Sequence, residues 1–141
     1  MNEPTQAPSS EEWPSTILYK ALTPLIAKGH LRQIYVYPPE KFKYFPSLWI
    51  QITKEFDLSR SIPNDKRIML AGDFRVMTQE MNVPRAAFVL TQLKKHLEQM
   101  WQPLPIWERP YIEYCSIVFG NPKTLYQASQ PFRLYIRQPD E

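Results

Sequence analysis

Residues 84–101, PRAAFVLTQLKKHLEQMW, constrain the fold most. Ala86, Val89, Leu90, Leu93, Leu97, Met100 and Trp101 recur at three- and four-residue intervals and form one broad apolar stripe, while Pro84 suits a first helical turn. A helix of this kind is stable only when the stripe is buried against a second layer. The flanking segments supply it, because several are short and alternate with the period of a strand.

A second helix is expected over TILYKALTPLIAKG, with Ser15 as its cap, Ile17, Leu18, Ala21, Leu22, Leu25 and Ile26 on one stripe and Gly29 as its stop. Pro24 should kink or break it. LRQIYVYP reads as a strand; in SLWIQITKEF Leu48, Ile50 and Ile52 fit a strand while Leu48, Trp49, Ile52 and Phe56 fit a helix, and the β-branched content favours the strand. RIMLAGDFRVMT reads as a hairpin turning at Ala71-Gly72-Asp73, although Leu70, Phe74, Met77 and Met81 also stand at helical spacing. YIEYCSIVF, apolar on both faces, looks like a central strand, and FRLYIR like a final edge strand with its arginines outward. The order of elements implies an α+β domain: a small antiparallel sheet with two main helices packed on one face. Residues 13–137 form that single domain, between a flexible polar tail at 1–12 and a short C-terminal tail at 138–141.

Fifteen prolines against three glycines make the turns stiff and leave no glycine-rich loop to cradle a phosphate. The net charge of +3 is compatible with an acidic partner or nucleic acid and demands neither. Cys115 is the only cysteine, which excludes an intramolecular disulfide and suggests a reducing, cytoplasmic setting. No window resembles a signal-peptide core or a membrane span.

Candidates for catalysis are few. Cys115 falls in an apolar run, where a thiol packs as a small hydrophobe. His96 borders the stripe of the long helix, and His30 follows the glycine that ends the first helix, where an imidazolium complements the helix dipole. No Cys-x-x-Cys, His-x-x-x-His or calcium-loop spacing occurs, so neither a metal nor a cofactor is expected, and the chain reads as a non-enzyme.

Residues 77–98, MTQEMNVPRAAFVLTQLKKHLE, resemble a helix-turn-helix, with Met77, Met81 and Val83 at its apolar positions and Pro84-Arg85-Ala86-Ala87 at the start of the second helix. The resemblance implies a nucleic-acid-binding regulator. Val89 and Leu90, however, occupy places where a recognition helix presents polar groups, and burying each is worth roughly 1.5–3 kcal/mol. A second route to nucleic acid is a stacking face in which Tyr35, Tyr37, Tyr44 and Tyr135 lie among Lys41, Lys43, Arg133 and Arg137.

The stretch IYVYPPEKFKYFPSLWI, residues 34–50, gathers six aromatic side chains and three prolines. Part of it must enter the core. If Tyr35, Tyr37, Phe42, Tyr44 and Trp49 share an exposed patch flanked by Lys41 and Lys43, they suit an apolar protein segment with acidic or polar flanks. The edge of FRLYIR, with Arg133, Tyr135 and Arg137, would add backbone hydrogen bonds to an extended peptide, and Phe88, off the apolar stripe of its helix, must meet another element or a partner. The primary expectation is therefore a non-catalytic interaction module, an adaptor or assembly chaperone that binds a peptide or tail of a larger protein assembly.

Overall fold

A computed structural model describes residues 13–58, 66–79, 82–106, 109–120 and 126–138. The expected tail at 1–12 lies outside them, as does the one at 138–141 except for Gln138, which ends the last strand instead. In chain order the elements are α1 (Trp13–Leu22), α2 (Pro24–Ala27), β1 (Gln33–Tyr35), β2 (Ser47–Asp57), β3 (Lys66–Thr78), α3 (Val83–Trp101), β4 (Tyr111–Tyr114), β5 (Val118–Gly120) and β6 (Tyr126–Gln138). Six strands form one sheet in the order β1-β2-β3-β6-β4, with β5 also paired to β6. The class is α+β and the sheet mostly antiparallel, as expected, but the sheet is larger than expected and β1 joins β2 in parallel. Residues 36–46, stiffened by Pro38, Pro39 and Pro46, carry the chain back for that parallel return.

α3 starts where the sequence places it. The Asn82 side chain accepts from the Arg85 amide at 3.0 Å, Pro84 occupies the first turn, and Ala86, Val89, Leu90, Leu93, Leu97 and Trp101 are buried. Met100 is exposed instead. The first helix begins at Trp13, so Ser15 lies inside it, and it breaks at Thr23 ahead of Pro24, whose ring cannot join the ladder. Gly29, at φ +84°, ends α2 in a conformation that side chains resist. Leu18, Ala21 and Leu22 of α1 share one buried cluster with the α3 stripe and with Leu48, Ile50, Leu70, Phe74, Val76, Ala128, Phe132 and Leu134 of the sheet. The rings of Phe74 and Phe132 stack there at 4.3 Å. His96 ties the helices together by donating from Nε2 to the Ala21 carbonyl at 2.8 Å.

Three expectations are corrected. Residues 67–78 form neither a hairpin nor a helix: β3 runs straight through Ala71-Gly72-Asp73 and pairs on both sides. FRLYIR is not an edge, because β6 lies between β3 and β4; its alternation reports one wet face, not a free margin. YIEYCSIVF is the margin instead, split into β4 and β5 with Cys115 exposed between them. Gln130, fully buried on β6, spans this split by donating to the Cys115 carbonyl at 2.5 Å.

What looked like turn chemistry at Gly72 is a close backbone approach. The β2–β3 register slips between Ile52 and Lys54, leaving Thr53 as the extra residue of a bulge, and its Oγ1 donates to the Ala71 carbonyl at 3.0 Å. A Cβ on Gly72 would fall 2.1 Å from the Gln51 carbonyl oxygen. Gly72→Ala is therefore expected to cost at least about 2 kcal/mol in chemical denaturation. Gly120→Ala, where an added Cβ meets nothing within 4 Å, should change far less.

A candidate partner-binding surface

Alternation along the strands separates two sides of the sheet. Ile34, Leu48, Ile50, Phe74 and Val76 enter the core, so Tyr35, Trp49, Arg75 and Ser129 project from the other side in one cross-strand row. Tyr35 stands beside Trp49 in the parallel pair, and Phe42 meets Tyr35 edge-on at 5.3 Å. The Arg75 guanidinium lies 5.1 Å from the centre of the Trp49 ring, an arrangement worth about 0.5–1 kcal/mol near solvent. Asp73 holds it there: its Oδ2 is 3.5 Å from Arg75 Nε and accepts from Ser129 Oγ at 3.2 Å.

The connection that leads into β2 finishes the surface. Tyr37 and Tyr44 are 65% and 48% exposed, Lys41 and Lys43 are exposed between them, and the Arg32 guanidinium lies 5.9 Å from the Tyr44 ring centre. Ser47 Oγ donates to the Tyr44 carbonyl, and the Arg32 amide donates to the Pro46 carbonyl at 2.9 Å, which fixes the segment against the start of β2. Of the five aromatic residues named from the sequence, Tyr35, Phe42 and Trp49 stand together at the β1 end of the sheet, and Tyr37 and Tyr44 lie in the connection between β1 and β2 with Lys41 and Lys43. The contribution of Arg75 and Asp73 was not legible, since it depends on which β3 residues stand opposite Trp49.

The remaining candidates lie elsewhere. Arg133 and Tyr135 sit on β6, three strand spacings or about 14 Å across the sheet from β1. Tyr135 donates to Glu113 at 3.3 Å and packs 5.9 Å from the Tyr111 ring. Arg137 pairs with Arg67 in the β3–β6 ladder. Phe88 meets His30 edge-on at 5.2 Å, an inter-element contact that accounts for its place off the stripe. The helix-turn-helix reading fails at its first half, because Met77 and Thr78 end strand β3 and are buried, while Met81 lies outside the described residues.

A cleft of about 510 Å³ opens between α3 and β4, lined by Lys94, Glu98, Trp101, Arg109, Tyr111 and Tyr114 among others. Neither His96 nor Cys115 lines it. Lys94 lies 4.7 Å above the Tyr114 ring, and loss of solvent lowers its pKa. Burial, and then the charge of Glu98, pushes the Tyr114 hydroxyl well above the usual tyrosine value, and that hydroxyl is buried with no hydrogen-bond partner. A raised folded-state pKa stabilises below the unfolded value near ~10 and loses that contribution as pH rises past it. Tyr114→Phe should therefore flatten the alkaline fall in stability between pH ~9 and ~11.5, as read from denaturation midpoints, with little change at neutral pH.

Among the described residues no helix is long and apolar enough to cross a membrane. No family model matches the chain, and no curated protein matches it. Among solved structures, one similar chain belongs to a structure described as the virion of a native gene transfer agent particle. The two are 12% identical with a TM-score of 0.55, over 86% of this chain and 92% of that one. Similarity at that identity is similarity of fold.

Proposed function

We propose that this protein is a non-catalytic subunit or assembly factor of a multi-protein particle, and that it holds an extended segment or tail of a neighbouring protein at the aromatic end of its sheet. The carrying observation is the exposure of Tyr37 and Tyr44 next to β1, the last strand of the sheet on that side. Rings this large left in water beside a sheet margin suit a guest whose backbone pairs with the margin and whose apolar side chains settle on the rings. Lys41, Lys43 and Arg32 favour a guest with acidic or polar flanks. This reading takes both helices to lie on one side of the sheet, which leaves the Trp49 side for the partner; the shared buried cluster of α1, α3 and the inward strand residues supports it. The fold shared with a chain from a gene transfer agent virion agrees with a place in a particle.

The test is affinity capture from native lysate followed by mass spectrometry. Wild-type protein should retain a defined partner, and a Tyr37→Ala/Trp49→Ala variant with an unchanged circular dichroism spectrum should lose it. Retention by the folded variant would contradict this placement.

A further inference from the structure

The register places a second row on the outward side, far from Trp49. Met69 of β3 pairs with Phe56 of β2 and with Tyr135 of β6, and Tyr135 pairs with Tyr111 of β4. Their neighbours Leu70 and Leu134 are fully buried in the core cluster, so by alternation this row faces away from it. Phe56 is 44% exposed and Tyr111 60% exposed. Four strands at the usual spacing make the row about 14 Å long, the length of two to three helical turns. Ile106, 78% exposed, lies at the end of the sheet, where it shares with Leu58, Ile68, Tyr111, Tyr135 and Ile136 the lining of a cleft of about 310 Å³ that reaches both sides of the margin.

Charge borders the row on both sides. The next outward row toward the sheet centre is Lys54, Ala71, Arg133 and Glu113, and Arg67 and Arg109 line the cleft beyond it. Among the described residues at these borders, Lys54, Arg133, Arg67 and Arg109 outnumber the carboxylates Glu113 and Asp57; Glu113 accepts from Tyr135, and Arg109 is held by the Gln102 and Leu104 carbonyls.

We infer that this row is a second docking surface, which takes an acidic amphipathic segment of another protein. Its apolar side chains would lie on Phe56, Met69, Tyr135, Tyr111 and Ile106, and its carboxylates would meet the bordering arginines and Lys54. A second copy presenting the same row would set cations against cations, so charge selects a partner of opposite sign. Six residues of β3, about 20 Å, separate this row from the Trp49 surface, so the two act independently.

The probe is a fluorescein-labelled peptide of about 14 residues with leucines along one helical face and glutamates elsewhere, compared with the same peptide carrying lysines for glutamates. Fluorescence anisotropy should show the glutamate peptide binding at least about tenfold tighter. Phe56→Ser/Tyr111→Ser should weaken it by about tenfold or more, and Lys54→Glu/Arg133→Glu should reverse the preference. These residues are exposed or at the margin, and matched thermal melts confirm folding. Tyr37→Ala/Trp49→Ala should bind the peptide as wild type does, and Phe56→Ser/Tyr111→Ser should keep the partner captured by the aromatic surface, so either reading can fail alone. Equal binding of the two peptides, or binding unaffected by Phe56→Ser/Tyr111→Ser, would overturn the inference.

Discussion

The closest constraint in the sheet is the passage of Gly72 beside the Gln51 carbonyl, where no side-chain carbon fits. It lets β2 take Thr53 as an extra residue without losing its ladder to β3. Beyond the bulge the alternation of β2 is reversed, so Lys54 and Phe56 stand where an unbroken strand would have put Thr53 and Glu55. A ring, not a carboxylate, therefore joins Met69, Tyr135 and Tyr111 at the far end of the sheet.

The long strand β3 turns this local event into architecture. It is paired along its length with β2 on one side and β6 on the other, and its inward residues Ile68, Leu70, Phe74 and Val76 share one buried cluster with residues of the helices. Met69, Ala71, Asp73 and Arg75 alternate with them on the other side, between two unlike ends. One end is aromatic and organised by Arg75 over Trp49; the other is an apolar row bordered by cations. On the proposed reading, a subunit with two such ends can hold two neighbours that differ in chemistry.

Much of this was legible in the chain. The stripe of α3, its start at Pro84 and the break before Pro24 follow from periodicity and local sterics, and the strand at 47–57 from its β-branched content, where periodicity alone also fitted a helix. Gly72 misled because a glycine needed for close approach looks the same in sequence as one needed for a turn. The arginines of FRLYIR misled because alternation shows which face is wet and says nothing of whether the strand has neighbours on both sides. The apolar residues that suggested a helix-turn-helix are explained by burial at the end of β3, where Met77 and Thr78 are closed off from solvent. The aromatic segment was visible as composition. The Phe56 to Tyr111 row was not, since it needs the register of four strands and a bulge within one of them.

The account rests on an outward sheet face that other proteins cover. Hydroxyl-radical footprinting of the free protein and of the protein within its native assembly tests this most directly. Tyr37, Tyr44, Phe56 and Tyr111 should lose reactivity on assembly, while Phe88 and Met100 on α3 keep theirs. Unchanged labelling of those four rings, with protection confined to α3, would contradict it.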